Sequence, residues 1–349
     1  MGNALNSKED SAIDFAKFVC SILIISIHTQ PFKDYSYVIN CYLEDVFSRL
    51  AICLFFVISG FYFFKGIDFE NGKIKKSKEN RNRLLKYVSR VFILYAVWSF
   101  IYLLWMIPGW YQTGWLSIKA FIDFGISFFL NSSYYHLWFL VSLVYAIPII
   151  YFILRFVSLK AFALICSIIY ILGVLTNTYS FIGLPFNEVF QKIWDKFPAL
   201  WTVIFFAIPI LTASIIVNKI NVKRRICISL AVLFFVGYSI EATSLNLTTA
   251  IPHFSYITFL TIPAAMFLFI TVKSINIKFR NSYLLRKTST VIYCIHPLIM
   301  NIVQACVNKN EINSLLYFTV TVIFSIFVSI LIFTAYKKLK FCKFLKYIM

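Results

Sequence analysis

From Ser11 to Tyr336 the chain is a succession of apolar runs separated by short polar gaps, and this patterning restricts its fold more than any other feature. A run of about 20 apolar residues is what an α-helix needs to cross the hydrocarbon core of a bilayer. Such spans are predicted at 11–29, 47–64, 88–107, 137–157, 160–177, 200–217, 226–241, 254–272, 289–307 and 314–336. The expectation is an all-α, polytopic membrane helix bundle of about ten transmembrane helices, forming a single domain over residues 1–349. A composition that is 60% hydrophobic and only 13% charged excludes two soluble domains, which the length alone would allow.

The formal net charge of +19 is placed unevenly. Lys73, Lys75, Lys76, Lys78, Arg81, Arg83 and Lys86 crowd one gap, and later gaps on the same side hold Arg155, Lys160, Lys219 and Lys223 to Arg225. Lys273, Lys278, Arg280, Arg286 and Lys287 follow, then Lys337 to Lys346. The alternate gaps carry little beyond Lys33, Lys119, Lys192, Lys196 and Lys309. Under the positive-inside rule this bias makes the first set cytoplasmic, together with both termini. The same face would attract anionic lipid headgroups or a phosphate-rich ligand. Nucleic acid gains no support, because neither a motif nor a stacking platform accompanies the charge.

The opposite side has longer, aromatic loops at 108–136, 178–199 and 241–253, edged by Trp110, Trp115, Trp138, Trp194 and Trp201 as an interfacial belt would be. Residues 119–130 are apolar but too short to span, so an interfacial or re-entrant segment is expected there. Eight scattered cysteines without a CxxC read as small core residues, and no metal-ligand spacing occurs. The polar first ten residues, followed by a span that keeps Asp14 and Lys17, argue against a cleavable signal peptide.

Ionisable groups inside spans are costly and mark functional candidates. Asp14, Lys17 and His28 share the first span. The eleven steps from Lys17 to His28 rise roughly 16 Å and turn through three turns plus about 20°, which puts both on one face. Lys17 and Asp14 fall at the cytoplasmic third, and His28, Arg49, His136 with Trp138, and Glu241 fall at the outer ends of their helices. Tyr293 and His296 lie about 10 Å into the ninth span from the cytoplasmic side. Each has a plain structural alternative: an Asp14–Lys17 ion pair, a snorkelling Arg49, a helix-edge His136, a hydrogen-bonded His28. For His296 the alternative is a ring that satisfies the carbonyl left by Pro297. Ser59-Gly60 reads as a close helix contact. The chain contains no GxSxG, no phosphate-cradling glycine loop and no HExxH.

These residues carry a resemblance. IDFAKFVCSILIISIH resembles the opening helix of the acyltransferase type 3 family, in which a basic residue, ten intervening positions and a histidine recur; Lys17 stands where that family commonly has arginine. SRLAICLFFVISGFYF, with Arg49, is similar to the family's second helix. HLWFL at 136–140 and STVIYCIHPL at 289–298 resemble two later segments, in the same order.

The resemblance implies transfer of an acyl group, often acetyl, from cytoplasmic acyl coenzyme A as co-substrate to a hydroxyl of a cell-envelope sugar or polysaccharide, at the outer face or on a lipid carrier. On that basis Lys17, with Asp14 beside it, is expected at the donor entrance. His28 is expected as general base and Arg49 at the oxyanion or acceptor; His136, Trp138, Tyr293, His296 and Glu241 are secondary candidates. An acyl-histidine intermediate is the alternative to direct transfer. The competing classes are a multi-helix transporter or flippase, for which neither repeats nor paired broken helices speak, and a sensor without turnover.

Overall fold

The computed structural model describes residues 2–185, 187–219, 223–248, 257–275, 277, 279–307 and 312–349. The chain begins with α1 (Gly2–Thr29), whose spanning part is Ser11–Thr29. The Ser36 hydroxyl caps α2 (Tyr37–Cys41) by accepting from Ile39 N, and α2 runs through a π-helical stretch, Tyr42–Ser48, into α3 (Arg49–Phe64). A short hairpin of β1 (Phe69–Glu70) and β2 (Lys73–Ile74) follows, closed by Asn71 and Gly72, both at positive φ. Two such residues form the tight mirror-image turn that matches strand twist, and Asn-Gly is the preferred pair for it. Among the described residues this hairpin is the exception to the expected all-α chain.

Next come α4 (Lys78–Gln112), α5 (Ile118–Leu130), α6 (Trp138–Ile153), α7 (Leu159–Thr176) and α8 (Asn187–Lys196). A second π-helical stretch, Val203–Ala207, joins α9 (Pro198–Thr202) to α10 (Ile208–Val217). The last helices are α11 (Arg224–Thr248), α12 (Thr261–Lys273), α13 (Ser282–Cys306) and α14 (Ser314–Lys338).

Among the described residues, 8 helices are long and apolar enough to cross a membrane, and the shorter apolar helices α6 and α12 stand where the fourth and eighth spans were expected. Residues 254–256 of the expected eighth span, with the end of the 241–253 loop, lie outside the described residues. Several helices outrun their apolar cores. Helix α4 takes in the basic residues from Lys78 and continues past Pro108 to Gln112, so the loop expected from Pro108 starts later. Lys, Arg and Glu are good helix formers that a hydropathy window does not see. Residues 119–130, expected to be interfacial or re-entrant, fall within α5, in which no residue is buried.

The chain divides into two compact units: residues 1–58 and 219–347 with Met349, and residues 59–218 with Ile348. In the first, α1 packs on α13, α14 and α12, and α11 packs on α12 and on the first π-helical stretch. Its core includes Ile25, Val291, Ile292 and Cys294. In the second, α4 packs on α6 and α10 on α7, around Tyr102, Ala146, Ile150 and Leu211. There Gly60 lies directly against Ser214 and Leu211, so a Cβ at this position would collide with them. VISGF is thus the close helix contact expected of small residues in membrane helices. Also in this unit, Arg83 donates to Phe63 O at 2.8 Å and Tyr62 O at 2.6 Å, holding the last carbonyls of α3.

Candidate active site

In the first unit His28 and His296 meet where α1 ends. Gln30 follows the helix at φ 49°, and its N–H bonds Ser26 O at 2.9 Å. A left-handed residue just past the last turn is a common helix stop. One turn before this stop, the Ser26 and Ser48 hydroxyls meet at 2.7 Å, and Ser48 also donates to Leu43 O. The contact joins α1, two residues before His28, to the π-helical stretch, one residue before Arg49.

Arg49 is 5% exposed and does not snorkel. Its Nε donates to Asp45 Oδ1 at 2.7 Å, one turn earlier. The other Asp45 oxygen accepts from Asn246 Nδ2 at 2.7 Å, and the Asp45 main-chain carbonyl accepts from Tyr238 Oη at 2.8 Å. Beside it, Glu44 accepts from Asn40 Nδ2 at 3.2 Å and from Gln30 Nε2 at 3.4 Å. Buried charge in a membrane bundle is tolerated when it is paired and hydrogen-bonded in this way.

His28 stacks on His296, with ring centroids 5.4 Å apart and planes 24° apart. The sequence reading put these residues at different depths. The difference arises because α13 starts at Ser282 rather than near 289, so His296 lies roughly 21 Å along its helix. Its Nδ1 faces Tyr293 O at 2.9 Å and Ile292 O at 3.2 Å. Pro297 has no N–H to give the Tyr293 carbonyl, and the imidazole supplies the missing donor. In the neutral ring this assigns the proton to Nδ1 and makes Nε2 the acceptor. Tyr293 stands 6.4 Å from the His296 ring and 6.2 Å from Phe55.

At the other end of α1, Asp14 is 1% exposed and takes a bidentate contact from Arg286 of α13, Nε to Oδ1 at 2.8 Å and Nη2 to Oδ2 at 3.0 Å. Lys17, one turn on, is half-buried. Glu241 receives the Phe259 and Leu260 amides at 2.8 and 3.0 Å, which anchors the entry to α12. Between α1 and α2, Asp34 Oδ2 accepts from Ser314 N at 2.7 Å, and Ser314 Oγ donates to Pro31 O at 3.0 Å. The bond from the Ser314 main-chain N–H to its carboxylate holds Asp34 below its ordinary value.

His136 and Trp138 belong to the second unit. The His136 ring sits among Tyr102, Tyr134 and Tyr135 at 5.1, 5.7 and 5.6 Å, and Trp138 begins α6.

The first unit therefore gathers His28, His296 and Tyr293, and bonds Arg49 into a polar knot. Sequence reasoning missed Asp45, Asn246, Tyr238 and Arg286. The four-residue step from Asp45 to Arg49 was a readable signal; the others come from distant helices and leave no local trace. Among the described residues no His, Cys, Asp and Glu group could hold a metal ion.

A family model described as an acyltransferase domain matches residues 10–334. Two curated proteins of Enterococcus faecalis, each named amino-acid racemase, are similar to the chain. One is 23% identical over 353 residues, covering 95% of this chain and 47% of that protein. The other is 25% identical over 189 residues, covering 52% of this chain and 25% of that protein. The chain spans about half the length, or less, of the curated relatives it matches. No solved structure matches.

Proposed function

The chain belongs to the acyltransferase 3 family of multi-pass membrane proteins, and on that premise we propose that it moves an acyl group, acetyl in the first instance, from cytoplasmic acyl coenzyme A to a hydroxyl of a cell-envelope sugar or polysaccharide. The observation that carries this reading is the stacked His28–His296 pair at the end of α1, on a helix bonded through Ser26 and Ser48 to the segment bearing Arg49.

In this reading His28 takes the proton from the acceptor hydroxyl as its oxygen attacks the thioester carbonyl. The oxyanion that forms is stabilised by the Arg49 guanidinium. Collapse of the intermediate breaks the carbon–sulfur bond, and His28 returns its proton to the departing thiolate. His296, fixed through Nδ1, orients the His28 ring by stacking. Lys17 meets the donor near the basic cytoplasmic face, roughly 16 Å from His28 along α1, a distance suited to a long, thin acyl-carrying arm. The protein works in the cell membrane, in contact with its lipids.

The racemase name belongs to relatives about twice as long and brings no activity to this chain. The test is transfer of labelled acetyl from acetyl coenzyme A to envelope material by the purified protein. Labelled product that disappears with His28→Ala supports the reading. Solute flux through reconstituted vesicles without acyl coenzyme A, and with no labelled product, would replace it with a carrier.

A further inference from the structure

We infer that Asp45 is a positioning residue that fixes the plane of the Arg49 guanidinium, and that α11 holds Asp45 in place; this rests on the role proposed for Arg49. The two side chains are each 6% exposed, and the Nε–Oδ1 contact is 2.7 Å. Arginine reaches its target through a flexible stem, but its head is rigid and planar. A carboxylate bound at Nε therefore sets the direction of both Nη groups, which an ion pair at an Nη tip would not do.

Asp45 is itself restrained from two directions. Asn246 binds the oxygen that Arg49 does not use, and Tyr238 binds the main-chain carbonyl. Those α11 residues are eight positions apart, roughly 12 Å along the helix, so Asp45 is held at its main chain by one and at its carboxylate by the other, across a helix segment two turns long. Tyr238 is 2% exposed and packed in the core. Neutralising a buried arginine needs only a nearby negative charge. The second oxygen held by Asn246 and the contact at Nε add orientation to neutralisation.

Orientation and neutralisation predict different variants. Asp45→Glu keeps the charge but moves the carboxylate by one methylene. With labelled acetyl coenzyme A as donor and membranes from cells lacking this chain as acceptor, Asp45→Glu should lower kcat by at least about ten-fold. The KM for acetyl coenzyme A should stay within about two-fold, because removing an interaction that matters only in the transition state lowers kcat. In an Arg49→Ala background the same substitution should cause no further loss.

Parental kcat in Asp45→Glu, or losses that multiply in the double variant, would overturn the inference. Arg49→Ala with the parental rate would remove the Arg49 role and this inference with it, an outcome distinct from either. Should Asp45 variants fail to fold in detergent, Asn246→Ala keeps the charge pair and carries the test. It should lower kcat about three-fold or more, again only when Arg49 is present, and an unchanged kcat would overturn the inference.

Discussion

The α1–α13 pair is fastened differently at its two ends. At one end a carboxylate and a guanidinium form a bidentate contact, with Asp14 almost completely covered. At the other end two imidazole rings stack at 5.4 Å, and His28 is only partly covered. The first contact is strong and directional, and it resists separation. The second can exchange a proton without either helix moving. One pair of helices thus carries a structural clasp and, in the function proposed above, a chemical end, and substitutions at the two ends should fail in different ways.

The largest effect is expected at the chemical end. His28→Ala should lower acetyl transfer by at least about 100-fold, measured as labelled product from protein shown by size exclusion to be folded; a parental rate would remove His28 as the base. At the clasp, Asp14→Asn should cost about 2 kcal/mol of stability, read as a lower melting midpoint in detergent, with the KM for acetyl coenzyme A unchanged. A raised KM at parental stability would instead make Asp14 part of the donor entrance. Lys17→Ala should raise that KM up to about five-fold, as loss of a partly exposed charge contact does, and no change in KM would detach it from the donor.

The smallest effect concerns the Asp34–Ser314 link beside the chemical end. A carboxyl held below its ordinary value near 3.8 stabilises the fold above that pH and loses the contribution as pH falls through the lowered value. The difference in melting midpoint between the parent and Asp34→Asn should therefore shrink as the medium is acidified below about 3.8. A difference that persists in acid would mean that the link does not depend on charge.

Much of the frame was legible because crossing a bilayer imposes a length and a composition that a hydropathy pattern reports directly. Gly60 could be read because a residue without a side chain among large apolar ones implies close approach, and His296 because Pro297 leaves a carbonyl to satisfy. The segment 37–48 was hidden. It is helical although Asn40, Glu44 and Asp45 are polar, because each is buried against a hydrogen-bonding partner. Two of those partners, Tyr238 and Asn246, lie about 200 residues away on α11. The hairpin at 69–74 did have a signal in Asn71-Gly72, but it is too short to register against spans of 20 residues. The depth of His296 was misjudged for a related reason: α13 starts on Ser282 and includes Arg286 and Lys287, residues that a search for apolar runs assigns to a loop.

Pro297 works here by omission. One amide hydrogen is missing from α13, and that gap determines how the neighbouring imidazole is wired: Nδ1 turns back to the backbone and Nε2 is the acceptor in the neutral ring. Restoring the hydrogen with Pro297→Ala would give Tyr293 O its ordinary partner and release the ring to choose between tautomers. The protonation pattern of a buried side chain would then be encoded by the backbone of the residue after it, so a substitution with no functional group of its own could rewire the site.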